Sequence, residues 1–257
     1  MKKENAEKNQ AEGKKRKNPL YRFIKWSVSL FYKKRKVIGI ENLPQEPSLI
    51  IGNHAQMHGP LYCELYFPTP KKVWCIGEML KMKEVPAYAY KDFWSYKPKW
   101  SKWFYKILSY LIAPVFSFIL SHADTIGVYK DARVISTFKA TTKALKEGDN
   151  VVIFPERAED YNEILCEFQT RFVDVAKLYY KQSGKRVSFV PMYHAASIKT
   201  VIFGKPIEYD PEMEMEAQRA KICEYLKEEI TRLAKELPQH KVVPYKNIKK
   251  KDYPYSK

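Results

Sequence analysis

The fold of this chain is decided by the stretch LIIGNHAQMHGP, residues 49–60, in which an apolar run ends abruptly at polar residues. The run from Leu49 to Gly52 is typical of a strand that is covered on both faces. Asn53 and His54 follow the strand, and residues 57–67 then have helical spacing. A buried strand followed directly by a helix is the unit from which parallel sheets are built.

Alternating strand and helix signals continue on both sides of this stretch. Strands are predicted at 35–40, 48–53, 72–77, 124–128, 150–154, 187–191 and 199–203, and helices near 57–67, 131–147, 168–182 and 211–236. This order predicts an α/β fold, in which one layered domain has a central, mostly parallel sheet flanked by helices. An N-terminal amphipathic helix and a C-terminal helix are added to it.

The predicted organisation has five parts. They are a disordered basic tail at 1–19, an amphipathic membrane-surface helix at 20–34, an α/β domain at 35–210, a C-terminal helix at 211–238 and a basic tail at 239–257. Helix 20–34 has apolar residues on one face and cations on the other, which also suits packing on its own domain.

Segment 78–123 interrupts the α/β pattern. Its first half mixes aromatic residues with lysines, as at a membrane–water boundary, although the same mixture stacks on single-stranded nucleic acid. The apolar run 107–120 contains Pro114 and is too short for a confident span. It is therefore predicted to be a buried or re-entrant segment.

The net charge of +17 lies mainly at the two ends of the chain. Residues 1–36 carry +10 and residues 241–257 carry +5, which leaves the remainder nearly neutral at +2. Lysine clusters beside apolar segments are attracted to anionic membranes, and they also hold nucleic-acid phosphates without sequence preference. A solvated tail that aids solubility is the simpler alternative.

Four short blocks follow one another in an order that resembles the glycerolipid acyltransferase family. They are NHAQMHGP at 53–60, IGVYKD at 126–131, VIFPER at 152–157 and FVPM at 189–192. The family patterns are N-H-x-x-x-x-D, a G-x-x-x-x-R-like block, F-P-E-G-T-R and a V-P block. Supporting matches lie at 38–44 and 203–207, so the resemblance covers about 37–208.

The resemblance implies phospholipid biosynthesis, with transfer of a fatty acyl group to a (lyso)glycerophosphate-type lipid acceptor. His54 would act as the general base on the acceptor hydroxyl, which needs a positioned base because its own pKa lies far above 7. The donor is a thioester of coenzyme A or acyl-carrier protein, so no cofactor is expected. The implied location is peripheral or monotopic, on anionic lipid at the cytoplasmic face of the cell membrane.

One half of the expected catalytic pair is missing. Gly59 occupies the position of the family's aspartate, whose carboxylate would orient the imidazole of His54. Glu64 and Glu156 are candidate substitutes, and His58 is a candidate helper or replacement base. Without a substitute, the chain is expected to be impaired or to have a different task.

The phosphate of the acceptor is expected to meet Arg157, Lys130 and Arg171, which resemble the cationic positions of the family. Arg157 directly follows Glu156, where the family has Gly-Thr-Arg, and an ion pair with Glu159 or Asp160 is its alternative role. His54 and His58 have the i, i+4 spacing of metal ligands, but no third ligand is evident, so no metal is expected.

Two other functions remain open. The first is a catalytically silent homologue that binds membrane lipid, which Gly59 and the shortened third block favour. The second is a nucleic-acid binder, suggested only by the basic ends and the aromatic cluster, and no specific nucleic acid is expected.

Overall fold

The structure is a computed structural model that describes residues 18–94, 97–129, 131–246 and 248–256. The chain divides into two compact units, Met1–Lys33 and Lys34–Lys257. The predicted tail at 1–19 lies almost entirely outside the described residues.

The first unit contains one helix, α1 (Pro19–Phe31). Asn18 caps it, since its side-chain oxygen accepts a hydrogen bond from the backbone N–H of Leu20 at 2.9 Å. Pro19 occupies the first helical position, where no backbone donor is needed. The helix is amphipathic, and its exposed apolar side chains are Leu20, Phe23, Trp26, Leu30 and Phe31.

The second unit is built on a sheet with strand order β1-β9-β8-β2-β5-β3-β4, and β10 pairs with β8. Five of its strand pairs are parallel, while β9 and β10 run antiparallel to β8. The predicted α/β class with a mostly parallel sheet is confirmed. The strands are β1 (Lys36–Ile38), β2 (Leu49–Gly52), β3 (Lys71–Ile76), β4 (Thr125–Val128), β5 (Asn150–Ile153), β8 (Ser188–Ala195), β9 (Thr200–Phe203) and β10 (Ile207–Glu208).

Strand β2 lies in the middle of the sheet, between β5 and β8. All four of its residues are buried, which is why its sequence is continuously apolar rather than alternating. Helix α2 (His58–Tyr66) follows β2. The helices α5 (Val134–Lys146), α6 (Asp174–Ser183) and α7 (Met215–Glu236) cover the sheet, and their apolar faces complete one core with the strands.

Two helix boundaries differ from the prediction. Helix α7 begins at Met215 rather than 211 because the Glu214 carboxylate accepts hydrogen bonds from the first backbone N–H groups, those of Glu216 and Ala217. Helix α6 begins at Asp174 rather than 168, since residues 170–173 form a 3₁₀ turn.

A two-stranded hairpin follows β5 that the sequence did not predict. It consists of β6 (Glu156–Tyr161) and β7 (Cys166–Phe168). The side-chain oxygen of Asn162 accepts hydrogen bonds from the N–H groups of Ile164 and Leu165, which closes the turn. The charged sequence of β6 lacks the apolar alternation that announces a strand.

The described part of segment 78–123 is mainly helical, with the short α3 (Val85–Ala89) and the long α4 (Lys102–His122). Helix α4 has 21 residues, so the buried or re-entrant segment predicted from 107–120 was too short. It starts earlier because Lys102 and Lys106 fit a helix although they are not apolar, and it continues through Pro114. Among the described residues, one helical stretch, Lys99–His122, has the length and hydropathy to cross a membrane.

Candidate functional site

Asn53 fixes the end of β2 to β8. Its side-chain oxygen accepts a hydrogen bond from the backbone N–H of His194 at 2.7 Å, and its amide nitrogen donates to the carbonyl of His194 at 3.2 Å. His54 therefore leaves the sheet from the carboxyl end of a central parallel strand. Open α/β sheets place their ligand sites at this edge.

The loop after His54 contains two consecutive residues in the left-handed region, Ala55 at φ 44° and Gln56 at φ 54°. Left-handed non-glycine residues cost energy and persist only where surrounding contacts hold them. Here the N–H groups of His58 and Gly59 donate to the carbonyls of Ala55 and His54 at 3.0 and 3.1 Å. The turn brings the Gln56 carbonyl to the His54 ring.

The imidazole of His54 is held by that carbonyl. Its Nδ1 forms a short hydrogen bond with the backbone oxygen of Gln56. A carbonyl only accepts, so Nδ1 carries the proton and Nε2 has the lone pair. Nε2 has no hydrogen-bond partner among the described residues.

Burial lowers the pKa of His54 below its ordinary value of 6.5, and the hydrogen bond to Gln56 opposes part of that decrease. The ring is also packed edge-on against Phe154 and Tyr245, at centroid distances of 5.2 and 5.5 Å. These features keep the imidazole neutral at pH 7, in one tautomer and one orientation. That is the state a general base needs.

Gly59 has no room for the side chain that the family pattern expects. A Cβ there would lie 2.8 Å from the His54 carbonyl oxygen, 2.9 Å from Phe154 and 3.0 Å from the Asn53 carbonyl oxygen. Two of these three neighbours are backbone atoms, which cannot move aside cheaply. The close approach of helix α2 to the end of β2 thus excludes aspartate from this position.

Glu156 holds the backbone at the start of the His54 loop. It is buried, and its two oxygens accept hydrogen bonds from the backbone N–H groups of His54 at 2.6 Å and Cys166 at 3.0 Å. Burial raises the pKa of Glu156 to about 7, and the two N–H donors oppose this. The carboxyl therefore holds the backbone of His54 and not its ring. Glu64, the other candidate acid, pairs with Lys71 at 2.7 Å.

His58 begins helix α2, whereas His54 lies in the preceding loop, so the two rings do not share a helix face. The ring of His58 lies 6.1 Å from that of His194. Burial lowers the pKa of His58, and the charges of Arg35 and Lys250 lower it further. Within the described ranges, no group of three His, Cys, Asp or Glu residues is placed to hold a metal ion.

Of the three predicted phosphate-binding cations, the structure describes two, Arg157 and Arg171, and both are exposed. Arg157 is exposed on β6, and it adds to the lowering of the Glu167 pKa that is caused mainly by Lys227. Arg171 is exposed on the turn before α6. Lys130 lies outside the described residues, as do the side chains of Glu159 and Asp160, the proposed partners of Arg157.

The C-terminal segment, predicted only as a basic tail, reaches the His54 loop. Tyr245 packs on the His54 ring, and the Tyr253 hydroxyl accepts a hydrogen bond from the side chain of Gln56 at 2.9 Å. Residues 240–256, here called the C-terminal loop, thus form one wall of the candidate site.

No protein-family model matches this chain, and no curated protein sequence matches it either. Among solved structures, the chain is similar to the 1-acyl-sn-glycerophosphate (LPA) acyltransferase PlsC from Thermotoga maritima. The two are 16% identical, the match covers 85% of this chain and 79% of that one, and the TM-score is 0.49. A likeness this distant says nothing about activity, which has to be argued from the residues of this chain.

Several residues of the site were not predicted. Gln56 gave no signal, because a left-handed non-glycine residue cannot be recognised from its identity. Tyr245 and Tyr253 were hidden in a lysine-rich tail, although aromatic residues are unusual in a purely solvated segment. His194 is 1% exposed and stacks on Tyr62 at a ring-centroid distance of 5.7 Å, and it lies beyond the strand predicted at 187–191.

Two surface clefts in the described part of the chain lie away from His54. One, of about 390 Å³, lies between α3 and α4 and is lined by Pro86, Ala87, Tyr90, Lys102, Trp103, Lys106, Ser109 and Tyr110. The other, of about 420 Å³, lies along α7 and the β6–β7 turn.

Proposed function

We propose that this chain is an O-acyltransferase that moves a fatty acyl group from a thioester to the hydroxyl of a (lyso)glycerophosphate-type acceptor. The observation that carries the proposal is the state of His54, a neutral imidazole whose Nδ1–H is bound by the Gln56 carbonyl and whose Nε2 has no partner in the described residues. The sequence blocks that resemble glycerolipid acyltransferases are the reason for assigning acyl transfer to this base.

In the proposed mechanism, Nε2 of His54 accepts the proton of the acceptor hydroxyl as its oxygen attacks the thioester carbonyl. The tetrahedral intermediate then collapses, the carbon–sulfur bond breaks, and the imidazolium returns the proton to the leaving thiolate. The Gln56 carbonyl keeps Nδ1 protonated and contacts the imidazolium with a partial negative charge. This support is weaker than that of a carboxylate, so the expected turnover is modest.

The proposed location is the surface of an anionic membrane at the cytoplasmic face, in a peripheral or monotopic arrangement. Helix α4 supports this location, because it presents a continuous exposed apolar stripe that contains Trp103, Ile107, Leu111 and Val115. Lys99, Lys102 and Lys106 lie at its N-terminal end, where they suit lipid phosphates. The lipid acceptor would then reach the site from the bilayer.

The test is acyl transfer by the purified full chain, with coenzyme A and acyl-carrier-protein thioesters as donors and lysophosphatidate as acceptor. His54→Gln is expected to lower the rate by about 10² to 10⁴, the usual contribution of a general base. The matched control is His122→Gln, because His122 also bonds a backbone carbonyl through Nδ1 but lies at the end of α4. A rate of acyl transfer that is the same in His54→Gln as in wild type would show that His54 is not the general base.

A catalytically silent lipid-binding homologue is the second candidate. The contact of Tyr245 with the His54 ring favours it, because that side chain narrows access to the imidazole. If the wild-type chain transfers no acyl group with any of the donors above, yet binds anionic vesicles with unchanged affinity in His54→Gln, the silent homologue is the better account.

A further inference from the structure

The C-terminal loop has a fixed base. Its two ends are joined by hydrogen bonds between His240 and Ser256, with the Ser256 N–H donating to the His240 carbonyl at 3.0 Å, and by the Val242 N–H donating to the Pro254 carbonyl at 2.9 Å. Val242 and Ser256 are buried. A surface loop whose ends meet and pack is a compact structural unit rather than a solvated tail.

The base is also attached to the sheet. The Tyr193 hydroxyl on β8 forms a 2.8 Å hydrogen bond with Nε2 of His240, and the Ser197 hydroxyl donates to the Lys241 carbonyl at 2.6 Å. The loop therefore leaves and returns at one defined place. Its remaining residues are held within reach of the His54 loop.

The two contacts of the C-terminal loop with the catalytic region lie at Tyr245 and Tyr253, and lysines lie beside and between them. Lys246 directly follows Tyr245, and Lys250 lies between the two tyrosines, three residues before Tyr253. Both lysine side chains are exposed, and neither has a hydrogen bond or an ion pair among the described residues.

The charges of these lysines act on two sides of the His54 loop. On one side, Lys246 opposes the rise in the Cys166 thiol pKa that burial and Glu156 cause, and the N–H of Cys166 shares the Glu156 carboxyl with His54. On the other side, Lys250 acts on His58 together with Arg35. The Glu156 carboxyl is buried with both oxygens accepting hydrogen bonds, and Asp252 of the C-terminal loop is exposed to solvent.

We propose that Lys246 and Lys250 of the C-terminal loop form the phosphate-binding rim of the site beside His54. The ligand class is a phosphomonoester carried by a substrate, and this inference rests on the proposed function. Two exposed ammonium groups suit a dianionic phosphate, and the loop that carries them contacts the His54 loop through Tyr245 and Tyr253. Arg157 and Arg171 are not required by this arrangement.

Binding to the full chain is measured by calorimetry with two water-soluble probes, sn-glycerol 3-phosphate and free coenzyme A. Both carry a phosphomonoester, and they represent the acceptor and the donor. The variants are Lys246→Gln with Lys250→Gln, and the matched control is Lys177→Gln with Lys181→Gln, two exposed lysines on α6. The loop variant is expected to weaken binding of one probe by tenfold or more and the control to leave it unchanged.

The probe that loses affinity identifies which substrate the rim serves. Equal affinity of wild type and loop variant for both probes would overturn the proposal. It would also be overturned if the loop variant lost only its affinity for anionic vesicles, because the lysines would then serve the membrane. A wild-type chain that binds a probe through these lysines but transfers no acyl group would refute the acyltransferase and leave the rim in place.

Discussion

At the scale of single residues, a backbone carbonyl takes the place that the family pattern gives to a carboxylate. In the serine-protease triad, replacing the aspartate by asparagine costs roughly 10⁴ in turnover, because the histidine takes the wrong tautomer. The Gln56 carbonyl only accepts a hydrogen bond, so it keeps the productive tautomer of His54. The absence of an aspartate at position 59 should therefore lower the turnover by less than that factor.

The left-handed turn at Gln56 is testable through β-branching. Gln56→Val is expected to lower acyl transfer about 10²-fold, because a β-branched residue strongly disfavours a φ of 54° and the carbonyl would leave the ring. Gln56→Gly keeps the turn and loses only the bond to Tyr253, so its rate should stay within about fivefold of wild type. Equal rates of the two variants would show that the carbonyl does not matter.

The lack of space for a side chain at position 59 can be tested with the smallest one. Gly59→Ala is expected to destabilise the fold by about 1 to 3 kcal/mol, since the added Cβ meets two backbone oxygens. Gly127→Ala is the comparison, because its nearest neighbours are side-chain ends of Leu80 and Tyr129 that can shift. Urea unfolding measures both variants, and a Gly59→Ala free energy of unfolding equal to wild type would contradict the packing described here.

The sequence singled out His54 and Glu156, which the structure brings together through a backbone hydrogen bond, but it did not predict this relation. A run ending in Asn-His predicts a histidine at a strand end, and this is where it lies. The hydrogen bond at Nδ1 of His54 depends on the positive φ values of Ala55 and Gln56, and the packing of the ring depends on Tyr245, about 190 residues away in the chain. Neither feature has a local sequence signature.

At the scale of elements, the regular α/β part was predictable because each buried strand carries an unbroken apolar run. The β6–β7 hairpin and the start of α4 were not, because charged residues there serve turns, caps and surfaces instead of a core. Helix α4 is the clearest case. Ala113 and its neighbours pack in a core, but one stripe of apolar residues on this helix is exposed, so the rule that apolar runs are buried gives the wrong environment for that stripe.

The exposed stripe of α4 makes a prediction about membrane binding. Leu111→Asp is expected to weaken binding to anionic vesicles tenfold or more, because Leu111 is 68% exposed and would lose its contact with lipid. Ser121→Asp, an exposed polar position on the same helix, adds the same charge outside the stripe. Vesicle sedimentation compares the two, and equal losses would indicate general charge repulsion rather than a lipid-facing stripe.

At the scale of the whole molecule, buried histidines connect the site to stability. Burial lowers the pKa of His194 to about 3, with the charges of Arg35 and His58 contributing. The unfolded chain binds this proton near pH 6.5 and the folded chain does not, so His194 favours unfolding progressively as the pH falls from 6.5 towards 3. Glu156 acts in the opposite sense, because its raised pKa removes stability as the pH rises from 4.5 through about 7.

The contributions of His194 and Glu156 to stability can be distinguished below pH 4.5, where Glu156 is protonated in both the folded and unfolded chain. Between pH 4.5 and 3 the free energy of unfolding should fall more steeply for wild type than for His194→Gln. Urea unfolding at fixed pH values measures the difference in slope, whatever the absolute stability of the variant. Parallel curves would mean that His194 is protonated in the folded chain.

Nitrogen NMR of the ¹⁵N-histidine-labelled full chain shows whether His54 is a neutral base held through Nδ1, with His54→Gln to assign the signal. At pH 7 we expect the proton of His54 on Nδ1, and we expect the ring to titrate below 6.5. A ring that carries its proton on Nε2, or that titrates above 6.5, would refute the assignment of His54 as the base.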